Sequence, residues 1–181
     1  VATEMHNLAV ILADNAKYDE AEPLFRQSLA AHRKLLGEDA PETATDLHGL
    51  GLLFKLKGNL EESERMYREA LALRRKIFGA SHPDVAATLN NLAQLLREKG
   101  DPAAAEPLLR ESLDLHRKLI GPEHANIATN LDNLASVLRL RGNLTEAELL
   151  LREALEMRRK LFGKTHADVA VSLNNLASLL R

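Results

Sequence analysis

The sequence predicts an all-α protein built as an array of helix-turn-helix repeats, and three observations carry that prediction. Gly37, Gly79, Gly121 and Gly163 stand 42 residues apart, as do the dipeptides Arg33-Lys34, Arg75-Lys76, Arg117-Lys118 and Arg159-Lys160. The run Leu89-Asn90-Asn91-Leu92-Ala93 returns as Leu131-Asp132-Asn133-Leu134-Ala135 and as Leu173-Asn174-Asn175-Leu176-Ala177, with a looser copy at Met5-His6-Asn7-Leu8-Ala9. No segment alternates apolar and polar residues for long enough to form a half-buried strand. Self-similarity at a fixed period of this size signals a repeat array rather than a single irregular domain. The repeats fall at 1–42, 43–84, 85–126 and 127–168, and 169–181 forms the first helix of a fifth, as a cap or a truncated unit.

Each unit reads as two helices. In the third, Val85, Leu89, Leu92 and Leu96 recur at spacings of 4, 3 and 4, one apolar stripe of a helix. Asp84 is the expected N-cap of that helix, and Gly100 its stop. Asp101-Pro102 restarts the chain, the aspartate as cap and the proline preset at the first helical position. The second helix carries Ala105, Leu108, Leu109, Ser112, Leu113, His116 and Leu119 and ends near Gly121. Asn59 and Asn143 take the capping place in the second and fourth units. Glu22/Arg26, Glu64/Arg68, Glu106/Arg110 and Glu148/Arg152 are i,i+4 pairs with the acid first, the more favourable order. The Arg-Lys dipeptides fall in the last turn of the second helices, where positive charge meets the negative end of the helix dipole.

Helix-turn-helix units with Leu-x-Asn-Leu-Ala in the first helix, Gly-Asn or Gly-Asp at the turn and Glu-Ala-Glu in the second resemble tetratricopeptide repeats. The period and the Gly-x-x-His-x-Asp linkers, Gly79 to Asp84 and Gly163 to Asp168, resemble the 42-residue subclass of kinesin light chain and nephrocystin-3. The bulky aromatic of the shorter repeats gives way to Leu47, Leu89, Leu131 and Leu173, as it does in that subclass. The resemblance covers the whole chain. It implies a right-handed α-solenoid whose first helices line a concave groove for extended peptides or helices, and it implies no substrate.

Composition narrows the function further. The 181 residues carry 24 basic and 26 acidic side chains, a net charge of -2, without the basic excess of a nucleic-acid footprint. Aromatics are 3% of the chain and tryptophan is absent, which removes the stacking platforms used for single strands. With no cysteine, there is no thiolate metal site and no thiol nucleophile. No apolar run approaches the roughly 20 residues that span a bilayer, and no signal peptide is visible, so a cytoplasmic location is expected. There is no phosphate loop, dinucleotide fingerprint, nucleophile elbow or His-Glu-x-x-His pair. His82, His124 and His166 share one linker position in successive units, but packed helix axes lie roughly 8–10 Å apart and zinc ligands must reach about 2.0–2.1 Å. They are read as linker or capping residues. His32 and His116 alternate with Arg74 and Arg158 at one second-helix position and are read as partly buried packing. No catalytic residue, cofactor or metal is expected.

Function in a repeat array lies on the face that its repeats hold in common. Projected at 100° per residue, that face begins with the column His6, His48, Asn90, Asp132 and Asn174. Beside it run Asn7, Gly49, Asn91, Asn133 and Asn175, then Val10, Leu52, Gln94, Ser136 and Ser178, and finally Ala13, Lys55, Arg97, Arg139 and Arg181. Asparagine is a mediocre helix former, so a column of it asks for a reason. Either its amide serves the backbone of a bound chain, or it bonds a neighbouring repeat. The Lys55-Arg97-Arg139-Arg181 ladder suits both a helix C-terminus and an acidic ligand. The candidate peptide-binding residues are His6, Asn7, His48, Gly49, Leu52, Lys55, Asn90, Asn91, Gln94, Arg97, Asn133, Arg139, Asn174 and Asn175. Gly49 is expected to leave a recess, flanked by His6, His48 and Leu52, for one bulky apolar side chain. Asp132 is expected to oppose an acidic ligand. The predicted function is a non-catalytic scaffold for an extended acidic peptide, with weak end-to-end self-association through the apolar fifth first-helix. Its alternatives are a structural module that stacks end to end and a regulatory array of a larger multidomain enzyme.

Overall fold

The computed structural model describes residues 1–181, which form nine helices and no strand: α1 (Ala2–Asp14), α2 (Tyr18–Leu36), α3 (Pro41–Leu56), α4 (Leu60–Phe78), α5 (Pro83–Glu98), α6 (Pro102–Ile120), α7 (Ala125–Leu140), α8 (Leu144–Phe162) and α9 (Ala167–Leu179). The odd-numbered helices are the first helices of the repeats, the even-numbered ones the second. The chain divides into two compact units, Val1–Leu95 and Leu96–Arg181. In the first unit α1 packs on α2, α2 on α3 and α3 on α4, and α1 also touches α3. In the second, α6 to α9 repeat that order, and α7 touches α9.

The core of each unit is the stripe read from the sequence. Phe25, Leu47, Leu50, Leu53 and Tyr67 are almost wholly buried in the first unit, and Leu109, Ile127, Leu131, Leu134 and Val137 in the second. Burying one such aliphatic side chain contributes about 1.5–3 kcal/mol, far more than the surface pairs. Those pairs nevertheless form: Glu22–Arg26, Glu64–Arg68, Glu106–Arg110 and Glu148–Arg152 are all hydrogen-bonded. Between repeats, Arg33 reaches Glu69 and Arg117 reaches Glu153. Each is partly or wholly solvated, a setting in which ion pairs contribute about 0–1 kcal/mol.

The caps at Asn59, Asp101 and Asn143 accept from the amides of Glu62, Ala104 and Glu146. Asp84 is not the cap of α5. That helix begins at Pro83, and His82 Nδ1 accepts the Asp84 amide at 3.2 Å. His124 and His166 do the same for α7 and α9, accepting from Asn126 and Asp168. The linker histidines are therefore helix caps, and they start each first helix two residues ahead of the repeat boundaries read from the sequence. Phe78 and Phe162 stack on His82 and His166, with ring centroids 4.1 and 4.6 Å apart. At the turns between first and second helices, Gly58, Gly100 and Gly142 have φ of +77°, +84° and +80°, and Ala16 holds that position in the first repeat at +58°. Only the alanine is strained there.

Candidate functional site

Four polar positions recur every 42 residues, and three of them face inward. Second helices contribute Ser28/His32, Ala70/Arg74, Ser112/His116 and Ala154/Arg158, and the following first helices contribute Asp46, Thr88, Asn130 and Ser172. All ten polar and charged residues among these are buried, in places where the helical stripe is otherwise apolar. The fourth position is the first column of the predicted binding face. It closes the network.

In the first junction, the buried Asp46 carboxylate binds His6 Nδ1 at 2.7 Å, His32 Nδ1 at 2.6 Å and the Ser28 hydroxyl at 2.9 Å. In the second, Arg74 Nη1 donates to Thr88 Oγ1 at 2.6 Å and lies 3.3 Å from His48 Nδ1. Burial, helped by Arg74 and His6, pushes the pKa of His48 down to about 3. In the second unit, the Asn130 amide bridges Ser112 Oγ at 2.7 Å and His116 Nδ1 at 3.0 Å. Burial pushes the His116 pKa down, with His124 adding to it. Arg158 there donates to Asp132 and Ser172. Burial raises the Asp132 pKa, and Arg158 and Asn175 oppose that rise. His6, His48 and Asp132 thus serve the packing of repeats as well as their outer face.

The asparagine column divides. Asn91 touches His48 Nε2 at 3.1 Å, one repeat back, and Asn175 interacts with Asp132 in the same way. Asn7 and Asn174 are exposed; Asn90 and Asn133 are half-buried, like Gln94 and Lys55. Leu52 is 42% exposed, an apolar contact open to a ligand. Gly49 leaves no open recess. A Cβ there would stand 2.6 Å from Cε1 of Phe25, a ring that is only 2% exposed. The missing side chain accommodates the chain's own phenylalanine. Gly51 does the same for the Tyr67 ring, whose Cδ1 would lie 2.7 Å from an added Cβ.

An open cavity of about 270 Å³ does exist in the second unit, and it gathers four of the predicted residues: Arg97, Asn133, Arg139 and Asn175. Leu151 and Asp132 also line it. Leu151 occupies the second-helix place held by Phe25 and Tyr67 in the first two repeats, and its shorter side chain leaves room where those rings fill space. Arg97 Nη1 donates to Ser136 Oγ at 3.0 Å, which orients one guanidinium along the cavity wall. The expected repulsion from Asp132 is offset, because the nearly buried Arg158 pairs with it. Two guanidinium groups remain uncompensated by that carboxylate, beside two amides. A second cavity of about 310 Å³, in the first unit, is lined by His6, Asn7, His32, Glu42 and Asp46 and has no such positive balance.

Sequence reasoning missed Asp46, Thr88, Asn130 and Ser172. Their signal was present: a polar residue at 42-residue spacing, directly before the buried leucines Leu47, Leu89 and Leu131 and their counterpart Leu173.

The Tetratricopeptide repeat family model matches residues 1–76, 55–118, 84–160 and 126–181. No curated protein sequence matches the chain. Among solved structures, a Podosopora anserina protein described as a kinesin light chain with nearly identical TPR-like repeats aligns with a TM-score of 0.86 at 24% identity, over 98% of this chain and 84% of that one. BtubC (BKLC) from P. vanneervenii aligns with a TM-score of 0.88 at 23% identity, over 98% of this chain and 70% of that one. The fold is the α-solenoid of tetratricopeptide repeats. No helix is long and apolar enough to cross a membrane.

Proposed function

The chain belongs to the tetratricopeptide-repeat family, whose fold is a scaffold for protein interaction, and from that premise we propose that it binds an extended acidic peptide on its first-helix face without catalysis. One observation carries the reading. Arg97 and Arg139 share an open cavity with Asn133 and Asn175, while the one carboxylate there is paired with Arg158. Guanidinium groups bind carboxylates through charge-assisted, often bidentate hydrogen bonds, and side-chain amides can both donate to and accept from a peptide backbone. Asn174 lies on the first-helix face of the second unit, and Asn7, Val10, Leu52, Lys55, Asn90 and Gln94 belong to the corresponding face of the first unit. Within the first unit, exposed apolar surface is offered by Val10 and Leu52, and no recess is offered at Gly49.

The test is titration of a library of acidic peptides, with helicity followed by circular dichroism. Binding should weaken as salt rises, since exposed charges are screened beyond about 8 Å at physiological ionic strength. Arg97→Glu with Arg139→Glu should weaken the selected peptide at least about tenfold, or 1.4 kcal/mol, with the helical signal unchanged. Equal affinity of parent and variant for that peptide would remove the assignment.

A further inference from the structure

Most arginines on the outer surface of this chain are matched by acids, and two that are not share one cavity. On the second helices Arg26, Arg68, Arg110 and Arg152 each bond the glutamate four residues earlier. Arg158 holds Asp132. Arg97 of α5 and Arg139 of α7 have no carboxylate partner: Arg97 Nη1 donates to Ser136 Oγ at 3.0 Å, and Arg139 stands exposed. Both line the open cavity of about 270 Å³ in the second unit. The Asp132 carboxylate on its wall is already balanced by Arg158. One space therefore holds two guanidinium charges for one occupant.

Charge, donor geometry and the apolar wall select the occupant. A carboxylate brings one negative charge, which a single guanidinium fork can match. A phosphomonoester brings about -1.5 to -2 at neutral pH on three acceptor oxygens, which balances the pair. The oxygens of a planar carboxylate accept best near the plane of the group, whereas those of a phosphate point in three directions. The donors of the cavity stand on three helices: Arg97 on α5, Ser136 and Arg139 on α7, and Ser178 on α9. Ser136 accepts from Arg97 and gives its own hydroxyl hydrogen to no residue of the chain, so that hydrogen is available to a ligand oxygen. Leu151 and Leu179 supply apolar wall, and Leu151 stands where the first two repeats carry the rings of Phe25 and Tyr67. An aromatic ring suits that space.

We propose that this cavity takes a phosphotyrosine side chain of the bound peptide, its phosphate on Arg97, Arg139 and Ser136 and its ring against Leu151 and Leu179. That the group belongs to a peptide rests on the function proposed above. The choice of a phosphorylated ring rests on the cavity itself, so the second unit reads a modification and not acidity alone.

The experiment titrates phenyl phosphate, benzoate and inorganic phosphate separately into the nitrogen-15-labelled full chain, following the backbone amide signals around Ser136 and Arg139. Phenyl phosphate should bind at least about tenfold more tightly than benzoate, as one further charge-assisted hydrogen bond implies. It should exceed inorganic phosphate by about tenfold, the contribution of a buried ring. Between pH 7 and pH 5.5 its affinity should fall about fourfold, because the second phosphate ionisation lies near 6. Benzoate, ionised at both, should not change and so reports on the protein itself. Arg97→Gln and Arg139→Gln should each weaken phenyl phosphate about tenfold, with helicity checked by circular dichroism. In a peptide arm, one glutamate-flanked sequence carries phosphotyrosine, glutamate or tyrosine at its centre. The phosphotyrosine form should bind about tenfold more tightly than the other two and displace phenyl phosphate. Phenyl phosphate no tighter than benzoate or than inorganic phosphate, or a phosphotyrosine peptide no tighter than the glutamate one, would overturn the proposal. The parent's titrations decide the matter should a variant fail to fold. Acidic peptides that still bind, and still lose affinity with Arg97→Glu and Arg139→Glu, would then leave the proposed function standing alone. If none of the three peptides binds, both readings fall.

Discussion

Replacing Gly49 with alanine should destabilise the protein, although the same change in the middle of an ordinary helix stabilises it. The expected gain in helix propensity is about 0.5–1 kcal/mol. Against it stands the new Cβ, 2.6 Å from Phe25 Cε1 and 3.2 Å from Cδ1 and Cζ. The ring cannot swing into solvent, because it is 2% exposed and packed among Ala9, Ala21, Leu47 and Leu50. Overpacking of this kind costs about 1–3 kcal/mol, so Gly49→Ala should lose about 0.5–2 kcal/mol. Phe25→Leu alone should lose about 2 kcal/mol in buried carbon. Leucine is the residue the chain itself places here in the third repeat, where Leu109 precedes Asn133 by 24 residues as Phe25 precedes Gly49, and with both changes the clash disappears. The double variant should therefore be more stable than the sum of the singles by the overpacking cost relieved, about 1–3 kcal/mol, above the roughly 0.3–0.5 kcal/mol scatter of independent sites. Urea unfolding followed by far-ultraviolet circular dichroism measures all three variants. A Gly49→Ala protein at least as stable as the parent, or additivity within about 0.5 kcal/mol, would refute the packing argument.

Ala16→Gly should raise stability by about 1 kcal/mol, because it relieves the only non-glycine residue at positive φ, at +58°; an unchanged or lower urea midpoint would count against it. His48 titrates near 6.5 when unfolded and at about 3 in the fold, so the stability from its neutral form is present above pH 6.5 and is lost as pH falls toward 3. Between pH 7 and pH 5 that loss should be on the order of 2 kcal/mol, and His48→Gln should remove the corresponding part of the slope in unfolding experiments run across this range. Light scattering should show weak, concentration-dependent association through α9 and its C-cap, where Leu173 and Leu180 are 44% and 60% exposed, and Leu173→Glu should abolish it; a parent that stays monomeric at high concentration contradicts this.

Repetition made the fold readable. Once Gly37, Gly79, Gly121 and Gly163 are aligned, each unit supplies the register for the others, and the leucine stripe, the turn glycines and the caps at Asn59, Asp101 and Asn143 follow from local chemistry. Asp84 was misread because two capping candidates lie two residues apart and either could begin the helix. Pro83 decides between them: a proline fits the first helical turn, which places the cap at His82. The binding face was legible as columns but not as contacts. Projection at 100° per residue shows which residues share a face, yet it cannot show how deep a neighbouring helix reaches. Hence Gly49 read as a recess, when the ring that fills it comes from Phe25, 24 positions earlier in the chain. For the same reason Asp132 read as an isolated negative charge, when its partner Arg158 lies 26 residues further along.

The first column belongs to two structures at once, and this constrains how the specificity of the face can change. His48 contacts Arg74 below and Asn91 beside it; Asp132 contacts Arg158 below and lines the cavity that holds Asn175. A substitution aimed only at the ligand therefore disturbs a buried polar junction, where leaving one group unpaired costs about 1–3 kcal/mol, and more when it is charged. The chain itself contains the compensated alternatives. Where the second helix carries arginine, the residue four places earlier is Ala70 or Ala154, and the next first helix offers a hydroxyl, Thr88 or Ser172. Where it carries histidine, that residue is Ser28 or Ser112, and the partner is Asp46 or Asn130. Alanine makes room for the longer guanidinium, whereas serine fills the space beside the shorter ring and hydrogen-bonds within it. A change of groove chemistry that keeps to one of these two sets preserves the junction, so the tolerated routes to a new ligand preference run through linked substitutions on two or three helices.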